Sequence, residues 1–197
     1  MKLNDIKTLV KSLPIVLAVV LYLIFKPDAA ATADVKMDHA VTQTGNELHE
    51  VTYIDVSDGD TINVDMNGQK ERVRLLMIDT PEMNYKEKKP QPYAEEAKQF
   101  TEQLLSEAET VHLLYDVGEQ TDQYDRLLAY VFVDGVSLQE HLLKEGYAAV
   151  RYVNAPNNTF EKQFYSIEKQ AKQAKVNIWS KDGYFDAKVG FQEDVMN

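Results

Sequence analysis

The dipeptide Asn67-Gly68 constrains this chain more than any other feature, because it stands between two runs of alternating polar and apolar residues, 61–66 and 71–78. Asn-Gly in that setting is the strongest short-range hairpin signal, since both residues accept the positive φ that a two-residue connection demands. A hairpin folded there lays the start of one strand beside the end of the next. Asp60, at the mouth of the first run, then comes close to Asp79, at the exit of the second. Two carboxylates that close repel, and one tends to stay protonated unless a cation or an arginine lies between them. A hard divalent cation that accepts few charged ligands plus carbonyls and waters answers the need, and Ca²⁺ is the best candidate.

Residues 58–82 therefore form the candidate site. Glu82 lies three residues past Asp79 in a turn shaped by Thr80-Pro81, near the metal and placed to hold a water. Arg74, five residues before Asp79, adds a planar cation suited to phosphate oxygens. Asp-Gly-Asp by itself is most often a turn, and Asp-Thr-Pro-Glu by itself a helix start. In order across one hairpin they read as a site. An EF-hand loop is excluded by register, because counting from Asp55 puts Met66 at position 12, where that loop needs a Glu.

Composition removes several chemistries. There are no cysteines, hence no disulfides, thiolate nucleophiles or Cys-ligated zinc, and the four histidines are scattered without ligand spacing. His141 reads as a packing residue on an apolar helix face with Leu138 and Leu142. The net charge is −11, and it would be −13 without residues 1–33, whose loss leaves 17 basic and 30 acidic residues. Such a surface lacks the basic footprint of a high-affinity nucleic-acid binder, so a polyanionic substrate must be met locally by arginines and a metal.

Residues 1–33 read as an export signal. Lys2, Lys7 and Lys11 precede an apolar run over 13–25, and Ala29 to Ala33 offer small-residue cleavage sites. A short membrane anchor is the competing reading, with the catalytic domain outside. Either way the expected location is secreted or cell-wall associated, of Gram-positive type, with transient membrane contact through the N-terminal segment.

Residues 34–46 read as a flexible linker, polar and aperiodic. Strands are predicted over 49–56, 61–66, 71–78, 110–115 and 127–133. The loop 83–92 carries Lys86, Lys88 and Lys89, which either form a solvated loop or steer a polyanion. Helices are predicted from Tyr93, from the capping box Ser137 to Glu140, and from Asn158 with Glu161. The tail 181–197 shows no pattern. Five short strands with one helix after the third and two after the fifth suggest an α+β fold: a closed antiparallel five-stranded OB-fold barrel with three α-helices, over residues 47–180.

These blocks resemble the staphylococcal (micrococcal) nuclease, or thermonuclease, family. The likeness runs from about His49 to Ser180, through Asp58-Gly-Asp-Thr61, Arg74 to Glu82, Tyr93, Thr121 to Tyr130, Pro156-Asn-Asn-Thr159 and Asn177-Ile-Trp-Ser180. The resemblance implies a Ca²⁺-dependent endonuclease that hydrolyses DNA and RNA and leaves 3′-phosphate ends, working as a monomer with no protein partner. By position, Asp60 and Asp79 would bind Ca²⁺ through carboxylates and Thr80 through its carbonyl. Glu82 would orient or deprotonate the attacking water, and Arg74 and Arg126 would grip the phosphate. Tyr124, Tyr152 and Lys88 would lie at the substrate. Gln123, Asn154 and Asp125 depart from the lysine, tyrosine and glycine of staphylococcal nuclease, which predicts weaker substrate binding. A catalytically silent nucleic-acid-binding OB module is the alternative; it would be expected to lack some of Asp60, Arg74, Asp79, Glu82 and Arg126, all of which are present.

Overall fold

The computed structural model describes residues 35–84 and 89–195. The export segment and Lys88 lie outside the described residues. Among those described, no helix is long and apolar enough to cross a membrane.

The Asn67-Gly68 hairpin forms as its sequence dictates. Strands β2 (Thr61–Met66) and β3 (Gln69–Leu75) pair in the register Met66↔Gln69 through Thr61↔Arg74, with Asn67 at φ 58 and Gly68 at φ 83. Positive φ at both central residues matches the twist of the strands, so the register is fixed by the turn. The long first strand, β1 (Leu48–Asp58), serves two neighbours: Leu48 to Val51 pair with β5 (Val111–Tyr115), and Thr52 to Asp58 pair with β2. Register shifts at Tyr53/Asp55 and Val56/Asp58 mark bulges within its pairing with β2.

The barrel closes where β3 meets β6 (Leu127–Val133), and there the expectation of an all-antiparallel barrel is corrected. Val73↔Leu127, Arg74↔Leu128 and Leu75↔Ala129 are parallel pairs. With β5 and β6 antiparallel, and the two-residue β7 (Val136–Ser137) added to the edge of β6, the five long strands form a mixed, closed, OB-like ring. A helix-containing excursion between β3 and β5 lets β6 run alongside β3 in the same direction.

The third strand also ends earlier than its sequence run suggests. The chain turns at Leu76-Met77, with Met77 at φ 61, and a two-residue strand β4 (Ile78–Asp79) leaves the barrel to pair with β8 (Ala149–Val150). The unbroken hydrophobic run hides this turn, because the residues on both sides of it are buried.

Helix α2 (Ala94–Glu107), α3 (Leu138–Lys144) and α4 (Glu161–Ala174) fall where expected. The Ser137 side chain accepts from Glu140 N, and the Asn158 side chain donates to Glu161 Oε2. On α4, Ala174 is exposed, while Glu168 is buried and accepts from Val150 N at 2.9 Å.

Two boundaries need correction. Residues 34–46 are not a flexible linker: Met37–Thr44 form a fourth helix, α1, with Ala40 fully buried and Val35 N donating to Glu140 Oε2 at 2.7 Å. Its outer face is polar enough to mask the short apolar stripe. Nor is the tail patternless in space. Beyond the 3₁₀ turn Asn177–Trp179, strands β9 (Phe185–Asp186) and β10 (Gly190–Phe191) form a hairpin whose rings pack on Tyr184 and Trp179, with Tyr184 fully buried.

Candidate active site

Asp60 lies in the tight turn between β1 and β2. The turn is pressed against α2, where Thr101 Oγ1 donates to Gly59 O at 2.7 Å, and a Cβ on Gly59 would come within 3.0 Å of Ala97 and Thr80. The hairpin register does the rest. Thr61 faces Arg74, so Leu75 N donates to Asp60 O at 2.9 Å, and Thr80 N donates to Asp60 Oδ2 at 2.9 Å.

Arg74 projects between the two acids. Its Nη2 is 3.2 Å from Asp60 Oδ2 and 3.3 Å from Asp79 Oδ1, while Nη1 donates to the carbonyls of Leu75 and Ile78. All three side chains are buried. The expected proximity of Asp60 and Asp79 is therefore present, bridged by the arginine.

A further cation stands on the other oxygen of Asp79. Arg151 Nη1 is 2.8 Å from Asp79 Oδ2, because β4 and β8 pair Asp79 with Ala149 two residues away. Sequence reading misses Arg151, which lies far from the hairpin in the chain; its one local signal is its place next to Tyr152. The Tyr152 ring lies 5.6 Å from the Arg74 guanidinium and 4.8 Å from that of Arg151, and is half exposed.

Glu82 stands beside these acids with one side open to solvent. Its backbone is clamped by Gln91, whose Oε1 accepts from Glu82 N at 2.8 Å and whose N donates to Glu82 O at 3.0 Å. Partial burial, followed by the charges of Asp60, Asp58 and Asp79, pushes the Glu82 carboxyl up to about 7. Burial and the charge of Asp60 also raise Asp79, against the pull of Arg151 and Arg74. More negative charge converges here than the arginines neutralise.

That surplus is the test of whether a metal fits. Among the described residues no three or more His, Cys, Asp or Glu groups form a cage, so a bound ion would take carboxylate oxygens from Asp60 and Asp79 and complete its shell with carbonyls and water. All available donors are oxygens, which suits a hard cation such as Ca²⁺ and not a soft one. The donor set fits.

Arg126 faces the same cleft from the barrel closure, two residues before Leu128, the partner of Arg74 in the parallel pair. Asp122 grips it, with Oδ2 2.7 Å from both Nε and Nη2, while Oδ1 accepts from Tyr124 N and Arg126 N. Burial raises the Asp122 carboxyl, but these bonds from Arg126 and Tyr124 outweigh it and hold the group below the usual carboxylate range. Asp125, where the family resemblance has glycine, takes φ 58, a conformation Asp tolerates better than most residues. Tyr124 is exposed, its ring 5.5 Å from the Arg126 guanidinium.

A cleft of about 780 Å³ joins the two sides, lined by Arg74, Asp79, Glu82, Tyr124, Arg126 and Tyr152. Gln123 and Asn154 line it too. Of the residues predicted from sequence, Asp60, Arg74, Asp79, Thr80 and Glu82 form one cluster, and Arg126, Tyr124 and Tyr152 surround the opening above it. Two guanidinium-bearing walls around an acidic floor can hold an anionic ester against a cation and a water.

Comparison with known sequences agrees with this geometry. The sequence model of a family described as "Staphylococcal nuclease homologue" matches residues 72–181. The SPbeta prophage-derived endonuclease YokF of Bacillus subtilis (strain 168) is 48% identical over 138 residues, covering 70% of this chain and 46% of that protein. Endonuclease YncB of the same organism is 47% identical over 138 residues, covering 70% of this chain and 65% of the relative. The thermonuclease of Staphylococcus hyicus is 39% identical over 137 residues, covering 68% of this chain and 79% of the relative. The matched region thus spans between about half and two thirds of the two Bacillus subtilis proteins.

Proposed function

Because the chain belongs to the staphylococcal nuclease family, we propose that it is an endonuclease that hydrolyses phosphodiester bonds in DNA and RNA with Ca²⁺ and leaves 3′-phosphate ends. The observation that carries this reading is the single guanidinium nitrogen of Arg74 shared by Asp60 and Asp79, at the floor of a cleft that Arg126 faces.

A divalent cation held by Asp60 and Asp79, with the Thr80 carbonyl as a further donor, would act as a Lewis acid on a phosphate oxygen and neutralise charge as it builds. The remaining work falls to this chain's own side chains. Glu82, beside these carboxylates and open to solvent on one side, is suited to hold the attacking water and accept its proton. Arg74 and Arg126 hold non-bridging oxygens with planar, permanently charged forks, which Lys does not match. For a 3′-phosphate product the water oxygen bonds to phosphorus, its proton passes to Glu82 and the P–O5′ bond breaks; the leaving O5′ takes a proton from solvent, and Arg126 would donate a hydrogen bond to it. Tyr124 and Tyr152 offer exposed rings for base stacking. The departures at Gln123, Asn154 and Asp125, together with the acidic surface, favour weaker substrate binding than in a basic relative.

Export through residues 1–33 is part of the same proposal, giving an enzyme outside the cell that acts as a monomer on nucleic acid it meets there. Sequencing the N-terminus of the protein recovered from culture medium and from cell envelopes decides between cleavage and anchoring.

The decisive assay incubates the purified full chain with single-stranded DNA and RNA, with Ca²⁺ and then with a chelator, and identifies the ends. Cleavage that stops with the chelator, leaves 3′-phosphates and is lost in a folded Glu82→Gln protein supports the proposal. Binding of DNA without cleavage in saturating Ca²⁺ would sink it in favour of the silent binding module.

A further inference from the structure

The region matched by the family ends at residue 181, yet the hairpin Phe185–Phe191 reaches back into the site. Its route is Arg151. The Arg151 backbone N donates to Met77 O at 3.0 Å, which fixes where the side chain starts. Its guanidinium lies over the Tyr152 ring on one side and meets the hairpin on the other, with Nη2 3.5 Å from Lys188 O. Gly190, at φ 97, packs so closely that a Cβ there would collide with Nη1. That same Nη1 makes the 2.8 Å ion pair with Asp79 Oδ2.

The hairpin is itself well anchored. Tyr184, just before it, is fully buried and donates its hydroxyl to Pro92 O, and Asp186 Oδ1 accepts from Lys188 N and Val189 N to hold the turn. A guanidinium wedged between a rigid turn and an aromatic face cannot drift from its carboxylate without moving one of them.

We propose that Arg151, seated by the C-terminal hairpin, is a positioning residue for the metal-binding carboxylate Asp79, fixing its orientation at the expense of metal affinity. The inference rests on the nuclease reading above. Two effects of opposite sign follow from the chemistry. A neutral outer partner of a metal ligand raises affinity, but a guanidinium on Asp79 Oδ2 repels a divalent cation while it fixes the carboxylate. Losing it frees an oxygen for the ion and lets the carboxylate rotate.

The test uses full-length protein, with Ca²⁺ binding measured by calorimetry and kcat and KM measured on single-stranded DNA. Arg151→Met keeps most of the stem and removes the charge. It is expected to bind Ca²⁺ about threefold or more tightly while kcat falls about 10–100-fold, the usual cost of an outer-shell partner, with KM within about threefold. Arg151→Lys, which retains one charged donor, falls between Met and wild type. Gly190→Val, which displaces the guanidinium without altering it and also strains the turn at φ 97, moves affinity and kcat in the same direction as Arg151→Met.

Unchanged affinity and kcat in Arg151→Met overturn the proposal, as do losses of both in step with the melting temperature, which is what mere structural support would give. Wild-type values in Gly190→Val remove the hairpin from the device. A wild-type protein that binds Ca²⁺ without cleaving overturns the nuclease reading alone, and the affinity shift in Arg151→Met still decides the inference. A wild-type protein that binds no Ca²⁺ overturns both.

Discussion

Asp60, at the mouth of the β2–β3 hairpin, and Asp79, on the short strand that leaves it, share a single guanidinium nitrogen, Arg74 Nη2, at 3.2 and 3.3 Å. That arginine is the counter-ion the two buried acids share, and Asp79 has Arg151 besides. Removing one partner from a buried charge network typically costs about 3–5 kcal/mol, because the remaining charges are left unpaired. Arg74→Ala should therefore melt well below wild type in chelator, and added Ca²⁺ should raise its melting temperature more than it raises that of wild type. Equal Ca²⁺ shifts in the two proteins, read by calorimetry, would remove the carboxylates from metal binding.

Arg126 is paired with Asp122 and lines the cleft. Arg126→Ala should reduce kcat by about 10²–10³-fold, the usual loss for one transition-state donor, and should also lose the part of the stability that comes from its pair with Asp122. Single-turnover rates on DNA check this, and an undiminished rate would take Arg126 out of the mechanism.

The Asp122 carboxyl is held below its unfolded range by bonds from Arg126 and Tyr124 that outweigh burial. Its contribution to stability is therefore complete above the unfolded value of about 3.9 and is lost as pH falls through the lower folded value. Asp122→Asn should be less stable than wild type at neutral pH, with the gap closing as pH falls through the lowered folded value. A constant gap between the two denaturation midpoints across that range would contradict the assignment.

Tyr124 and Tyr152 are 61% and 54% exposed, so neither ring contributes much to the core. Substituting either by Ala should weaken binding of a single-stranded oligonucleotide by about 1–3 kcal/mol, the range for one base-stacking platform. Fluorescence anisotropy on the Glu82→Gln background gives the number. Melting temperatures should stay close to the parent protein's.

Gln91 clamps Glu82 through both backbone directions and is tied in turn to Glu193 at 3.1 Å. Gln91→Ala should lower kcat several-fold while leaving Ca²⁺ affinity unchanged, since Glu82 is placed to hold water and Asp79 to hold the ion. A change in Ca²⁺ affinity as large as the change in kcat would mean that Glu82 is a metal ligand.

Much of this protein is decided locally and so was legible in its residues. Asn67-Gly68 specifies its turn through backbone sterics, the turn sets the register, and the register alone brings Asp60 beside Arg74. The Ser137 cap of α3 is of the same kind, as is the Asn158–Glu161 side-chain contact at the start of α4. What the chain could not declare depends on pairings between distant segments. The parallel closure of β3 on β6, the turn at Met77 that sends Asp79 to β8, the helix Met37–Thr44 seated on the core and the hairpin that seats Arg151 each follow from burying a surface made elsewhere. Side-chain alternation and turn chemistry act over a few residues, so they fix strands and loops; which strand faces which, and which arginine reaches a carboxylate, is settled only when the apolar faces meet.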